Sequence, residues 1–267
     1  MDDSVKQRIF ALVLALVAFE VHAFGATGHM VVGYVAEDRI CKDTRRAMRI
    51  ILPERNLIDA GLWADQLRSD PVWDVAEPWH YINVGDNQDL SKIKHPPEGD
   101  ILEAMQRFEN VLRDKASSDR QQREAMRFLV HFVADLHQPL HVGRASDRGG
   151  NSVDVWVGND SSNLHLFWDS YLLNQSELTA EEYAASLAAL AEGKEAAWRA
   201  SRPIDWARES QQLRAKVYAF SVDEDTGSGL LDEKYVAAAQ QITDEQLAKA
   251  GVRLAGLLDS IYCPPSE

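Results

Sequence analysis

The chain has 267 residues, 45% of them hydrophobic and 26% charged, with a formal net charge of −14. That length and apolar content suffice to bury a core in one large domain, and they exclude a disordered chain. The acidic balance argues against a general duplex-binding protein, whose affinity for a phosphate backbone comes from Lys and Arg.

In chain order, the first feature is an apolar run over residues 9–19, flanked by Arg8 and Glu20. It is too short to span a bilayer and suits the apolar core of a secretory leader. Lys6 and Arg8 supply a basic start, and the small residues Val21 and Ala23 place cleavage before Phe24. Residues 1–23 therefore read as an export signal and 24–267 as a mature domain, secreted or periplasmic, with no membrane contact after cleavage. The signal carries two basic and three acidic residues, so its removal leaves a net charge of −13.

Helical periodicity dominates the mature chain. Val31, Val32, Val35, Ala36 and Ile40 predict a helix over 30–40, and the same spacing recurs over 101–112 and 121–136. The last of these is apolar almost all round, as in a helix buried deep in a bundle. Residues 85–99, with "HPPEGD", read as a loop, as does the acidic, Gly-rich 222–229. The stretch "NSVDVWVG" over 151–158 alternates and predicts a small β-hairpin. Thr179 with Glu182, and Thr243 with Gln246, have capping-box spacing and open predicted helices near 180–193 and 244–261. The fold class expected is all-α: a single-domain multi-helix bundle with one small hairpin.

The two cysteines, Cys41 and Cys263, lie near the two ends of the mature chain. In an oxidising compartment a bond between them would close a very long loop and remove about 3–5 kcal/mol of unfolded-state freedom; two buried free thiols are the alternative. They cannot build a zinc site by themselves, so any metal must rely on His and carboxylates.

The histidines are unevenly spread. Four of eight, His131, His137, His141 and His165, fall within "HFVADLHQPLH" and "NLHLFWD". His131 and Asp135 are four apart on the most apolar helix, so both side chains share one face. Burying such a pair is expensive unless charge or metal compensates. Pro139 ends that helix and His141 follows it; His165 and Asp169 repeat the His-x-x-x-Asp spacing. Upstream, Asp65 in "WADQLR" and His80 in "PWHYINV" add a carboxylate and an imidazole. Imidazole and carboxylate without thiolate is the donor set of catalytic zinc, and this many donors suggest several ions.

On these motifs the mature chain resembles the S1/P1-type zinc-dependent nucleases along essentially its whole length, including "DWARES" at 205–210 and "AGVRLAGLLDS" near the end. That resemblance implies the helical fold shared by phospholipase C and P1 nuclease. The family begins at an aromatic residue followed by G-x-x-G-H, matched by Phe24, Gly25, Gly28 and His29. The resemblance implies three Zn²⁺ ions. The amine and carbonyl of Phe24, with His29, would hold one; Asp65, His80 and His131 a second, with Asp135 bridging the two; His141, His165 and Asp169 the third. Arg68 matches the family's transition-state arginine and Asp65 would act beside it in catalysis. The family usually begins with Trp; Phe24 changes the packing beneath the cluster while its backbone donors remain. Tyr81 matches the base-stacking aromatic and Asn151 the base-pocket asparagine, while Asn83 stands where the family often has a carboxylate. His137 has no ligand role in that scheme and reads as a supporting or surface residue.

The implied activity is hydrolysis of single-stranded DNA and RNA to 5′-phosphate products, with release of phosphate from 3′-nucleotides, by a monomer. The first rival is a zinc-dependent phospholipase C, for which the resemblance would require a longer gap from the terminus to the first His and Glu in place of Asp169. The second, from another class, is a secreted zinc-binding protein without turnover.

Overall fold

The computed structural model describes residues 24–263, so the export signal lies outside the described residues. Helices carry the fold. Helix α1 (Ala26–Glu37) runs into α2 (Lys42–Ile51), capped by the Cys41 sulfur, which accepts from the Thr44 amide. Helix α3 (Ile101–Arg113) opens on Asp100, whose carboxylate takes the amides of Leu102 and Glu103. Helix α4 (Asp119–His137) starts at a capping box of Ser118 and Gln121. Helix α5 (Pro203–Val217) begins with proline at its first position, and α6 (Glu233–Tyr262) is the longest element. Short helical turns fill the rest, including Leu57–Ala60, Trp63–Gln66, Ala180–Ser186 and Ala188–Ala191.

Helix α4 is the axis of the bundle. Every residue from Phe128 to His137 is buried, so the all-round apolar pattern is answered by neighbours on every side: α1, α3, α5 and α6 all pack on it. A buried helix end leaves carbonyls that must find donors, and side chains supply several of them here. His137 Nδ1–H donates to the Val133 carbonyl at 2.7 Å, Ser210 Oγ–H to Leu136 at 2.7 Å, and Gln246 Nε2–H to His137 at 3.1 Å. The Gln138 amide takes Asp135 at 3.0 Å.

That use of Gln246 corrects the capping box read at Thr243. The final helix starts at Glu233, with Asp232 capping it through the Tyr235 amide. Thr243 and Gln246 are buried in its middle, and the spacing arose from core contacts. The box at Thr179 and Glu182 is formed as expected.

Strands are few. Strand β1 (Ile82–Asn83) pairs in parallel with β2 (Val142–Gly143), which ties the chain just after His80 to the chain just after His141. The predicted hairpin is present as β3 (Asp154–Val157) and β4 (Asp160–Asn163). It is half of a four-stranded sheet ordered β4-β3-β6-β5, completed by β5 (Ser221–Val222) and β6 (Gly229–Leu230). The 222–229 loop is the turn of that second hairpin. A satellite core of Leu140, Val155, Phe167, Trp168, Val217 and Tyr235 lies under the sheet. Among the described residues no helix is long and apolar enough to cross a membrane. Cys41 and Cys263 form a disulfide, Cα atoms 6.6 Å apart, joining the start of α2 to the end of α6.

Candidate metal centre

Two groups of donor atoms meet at helix α4. His131 and Asp135, one turn apart, point the same way, with Nε2 3.2 Å from Oδ2. From α1, His29 stacks on the His131 ring at a centroid distance of 3.9 Å and brings its Nε2 to 3.5 Å from Asp135 Oδ1. On the opposite side His80 Nδ1 lies 3.1 Å from both Asp135 Oδ2 and His131 Nε2. Asp65 Oδ1 stands 3.8 Å from His131 Nε2. The donors of His29, His131 and Asp135 thus form one group, and those of Asp65, His80 and His131 another. His141, His165 and Asp169 form a third, each group spanning no more than 4.8 Å. In it, Asp169 sits in a π-helical turn (Phe167–Tyr171), with its carboxylate 3.0 Å from His165 Nε2 and 3.8 Å from His141 Nε2.

Outer hydrogen bonds aim three of these rings. Nδ1–H of His131 donates to the Gly61 carbonyl, that of His141 to His80, and that of His165 to Gly149, each at 2.7 Å. Each bond fixes the tautomer that turns the Nε2 lone pair inward. Gln138, itself buried, donates through Nε2 to Asp169 Oδ1 while its Oε1 accepts from the Leu140 amide.

The arrangement fits divalent metal. Asp135 Oδ1, Asp169 Oδ2 and His141 Nε2 are buried without any hydrogen bond, which is costly unless a cation takes their lone pairs. The protein's own groups show the same demand for positive charge. Burial favours neutral carboxyls, yet His131 and His141 hold Asp135 well below the usual carboxylate range, and His165 and His141 hold Asp169 at about 2. Burial opposes a charged His141, but Asp135 and Asp169 raise it to about 9. His80 is pushed down to about 4, chiefly by burial against the pull of Asp135. Divalent ions in these groups would compensate the two carboxylates and take the place of the proton on His141.

The start of the domain is folded onto the third group. The Gly25 amide donates to the Asp169 carbonyl at 2.8 Å, and the Phe24 side chain is buried. A Cβ on Gly28 would lie 2.9 Å from the Phe24 Cβ, and one on Gly25 would lie 2.7 Å from Ser170 Oγ. The turn is closed too tightly for side chains there.

Above the donors lies a cavity of about 440 Å³, whose walls include His80, His141, His165, Arg68, Tyr81 and Asn151. Asn83 also lines it, with Trp73, Asp74, Glu77 and Arg148. Arg68 Nε is 3.0 Å from Asp65 Oδ1, so the arginine lies between a donor carboxylate and the opening. Tyr81 is half-buried, and its hydroxyl donates to Glu77 Oε2 at 3.2 Å. Burial and then Glu77 push that phenol up to about 12, so it stays neutral.

The family model for the S1/P1 nucleases matches residues 24–263. The chain belongs to the S1/P1 nuclease family. It is accordingly a zinc-dependent hydrolase of the phosphodiesterase type. It is 29% identical to Endonuclease 2 of Arabidopsis thaliana, over 97% of each chain. To nuclease S1 of Aspergillus oryzae it is 28% identical, over 97% of this chain and 98% of that one. To nuclease P1 of Penicillium citrinum it is 28% identical, over 90% and 98%.

In this S1/P1 nuclease, eight of the nine expected donors fall into the three groups, two of which share His131. The ninth, Phe24, is expected only through backbone atoms. His137 is buried rather than on the surface: its Nε2 accepts from Arg253 Nη1 at 2.9 Å, and Arg253 is held by Glu209 of the "DWARES" segment. Burial and Arg253 hold His137 well below its ordinary value, so it is a neutral strut between α4 and α6. Sequence reading missed Gln138, Arg148 and the carbonyls of Gly61 and Gly149. Gln138 stood in view between Asp135 and His141, but a buried amide is recognisable only from what it touches.

Proposed function

We propose that this S1/P1 nuclease loses residues 1–23 on export and acts, secreted or periplasmic, as a monomeric endonuclease holding three zinc ions. Its substrates are single-stranded DNA and RNA, cut at the P–O3′ bond to leave 5′-phosphates, and 3′-nucleotides. The observation that carries this reading is that two of the three donor groups reach one cavity, through His80 and through His141 and His165, beside Arg68, Tyr81, Asn83 and Asn151, and the third group shares His131 with the first of these.

In this reading the terminal amine and carbonyl of Phe24, with His29 and Asp135, hold one ion. Asp65, His80 and His131, with Asp135, would hold the second, and His141, His165 and Asp169 would hold the third. Zinc in such a site supplies a Lewis acid for phosphoryl oxygens and makes water acidic at neutral pH. The remaining work belongs to the chain. Asp65 orients the attacking water opposite the leaving 3′-oxygen. Arg68, beside Asp65, neutralises charge that grows on the phosphate as the bond breaks. The Tyr81 ring stacks on a nucleobase, with Asn83 and Asn151 at its edge. Stacking of this kind suits single strands, whose bases are accessible.

Replacing Asp135 tests the assignment. Asp135→Asn should lower bound zinc and reduce single-stranded DNA hydrolysis by about a hundredfold or more, since it unlinks two ions. Full zinc content and activity in that variant would refute the bridge. Hydrolysis of a choline lipid, with single-stranded DNA left intact by the unaltered protein, would replace the substrate.

A further inference from the structure

Arg148 is one of two arginines lining the cavity, with Arg68. Arg68 is engaged with Asp65. Among the described residues Arg148 has no carboxylate within ion-pair distance, whereas Arg144 is paired with Asp86 at 2.7 Å. The backbone at Arg148 is also unusual. Its φ of 55° is left-handed, a state shared among the described non-glycine residues only with Arg55. A residue with a Cβ adopts it at a cost, and the surroundings must impose it.

Here the site imposes it. The Arg148 carbonyl accepts from Asn151 Nδ2 at 2.9 Å, and the next carbonyl, of Gly149, holds His165. Gly149 itself is left-handed, with φ of 62°, and packs so closely that a Cβ there would lie 2.7 Å from the Leu140 carbonyl oxygen. The loop that aims a donor histidine therefore also fixes an unpaired guanidinium on the wall. That guanidinium is close enough to Tyr81 to lower its phenol against the effects of burial and Glu77.

We infer that Arg148 binds the 5′-phosphate of the nucleoside stacked on Tyr81, and so favours strands over 3′-mononucleotides. The inference rests on the proposed function, which places that nucleoside on Tyr81 with its 3′-phosphate at the donor groups. The nucleoside's other phosphate must then leave along the wall. A planar guanidinium without a protein carboxylate is suited to it, and in an acidic chain such a charge stands out.

The test compares thymidine 3′,5′-bisphosphate with thymidine 3′-monophosphate on the zinc-loaded mature protein. Arg148→Asn removes the charge with a residue that tolerates the left-handed backbone; Arg148→Lys keeps the charge. The bisphosphate-to-monophosphate ratio of kcat/KM should fall about tenfold in Arg148→Asn, the scale of one charge-assisted hydrogen bond. Arg148→Lys should retain most of the ratio. For single-stranded DNA, the slope of log KM against log salt should fall by about 0.7, one phosphate contact. An unchanged ratio in Arg148→Asn would overturn the inference. So would an equal fall in Arg148→Lys, which would assign the effect to loop shape. Failure of the unaltered protein to hydrolyse either nucleotide would instead overturn the proposed function.

Discussion

Gly28 shows how much a single hydrogen can decide. Its missing side chain lets the first residue of the domain lie against the first turn of α1, where a Cβ would stand 2.9 Å from Phe24 Cβ. Gly28→Ala should therefore push Phe24 away from His29. Zinc content of the mature protein should fall, with most of the helical circular dichroism retained. Gln138 acts at the same scale. Gln138→Ala leaves Asp169 Oδ1 without its donor, and zinc affinity should drop by about 10- to 100-fold, the usual effect of losing an outer-shell partner. Titration with a chelator of known affinity measures it. The pairs His131/Asp135 and His165/Asp169 stood out in the sequence because a buried His-x-x-x-Asp is a costly pattern with few explanations, whereas His29 was expected only from the family resemblance. Gln138 and Arg148 were not legible, since neither carries a spacing signal; their roles come from loops that bring residues 140–151 against 165–169.

Elements were legible where burial is periodic and obscure where it is complete. Helix α4 could be read from its apolar run, and α3 from its apolar stripe. Helix α6 could not be bounded, because its buried Thr243 and Gln246 imitate a cap in the middle of a 30-residue helix. The short strands were mostly invisible, since β1 and β2 are two residues each and are specified by their partner. Two predictions belong here. The disulfide closes a loop of 222 residues, so Cys263→Ala should lower stability by about 4 kcal/mol and the melting temperature with it. Cys263 is the cleaner position, because Cys41 also caps α2. The second concerns the 85–99 loop, where His95 Nδ1 lies 2.6 Å from the Asp100 carboxylate that caps α3. That hydrogen bond, against a smaller opposing effect of burial, raises His95 above its ordinary value of 6.5. A raised folded value means the stabilisation is complete below about pH 6.5 and is lost as pH climbs through the folded value. Melting temperatures of His95→Gln and the unaltered protein should differ at pH 5.5 and converge near pH 9. A constant gap across that range would contradict the linkage.

Across the whole molecule the charge is acidic, −14 in the full sequence, yet the substrate proposed is a polyanion. The conflict is resolved locally. Asp65, Asp135 and Asp169 fall in the groups proposed to hold cations, and the cavity wall adds Arg68 and Arg148. Composition could argue against duplex binding but could not reveal this inversion, which exists only where distant segments converge. The same convergence links processing to function: a terminus made by cleavage before Phe24 would provide a donor that the longer chain lacks. Two forms of the protein decide the matter, one beginning at Phe24 and one carrying a single extra residue before it. Zinc per chain and the rate of single-stranded DNA hydrolysis are measured on both. The account predicts about three zinc ions and rapid hydrolysis for the first form, with loss of zinc and of most activity in the second. Equal zinc content and equal rates in the two forms would contradict it.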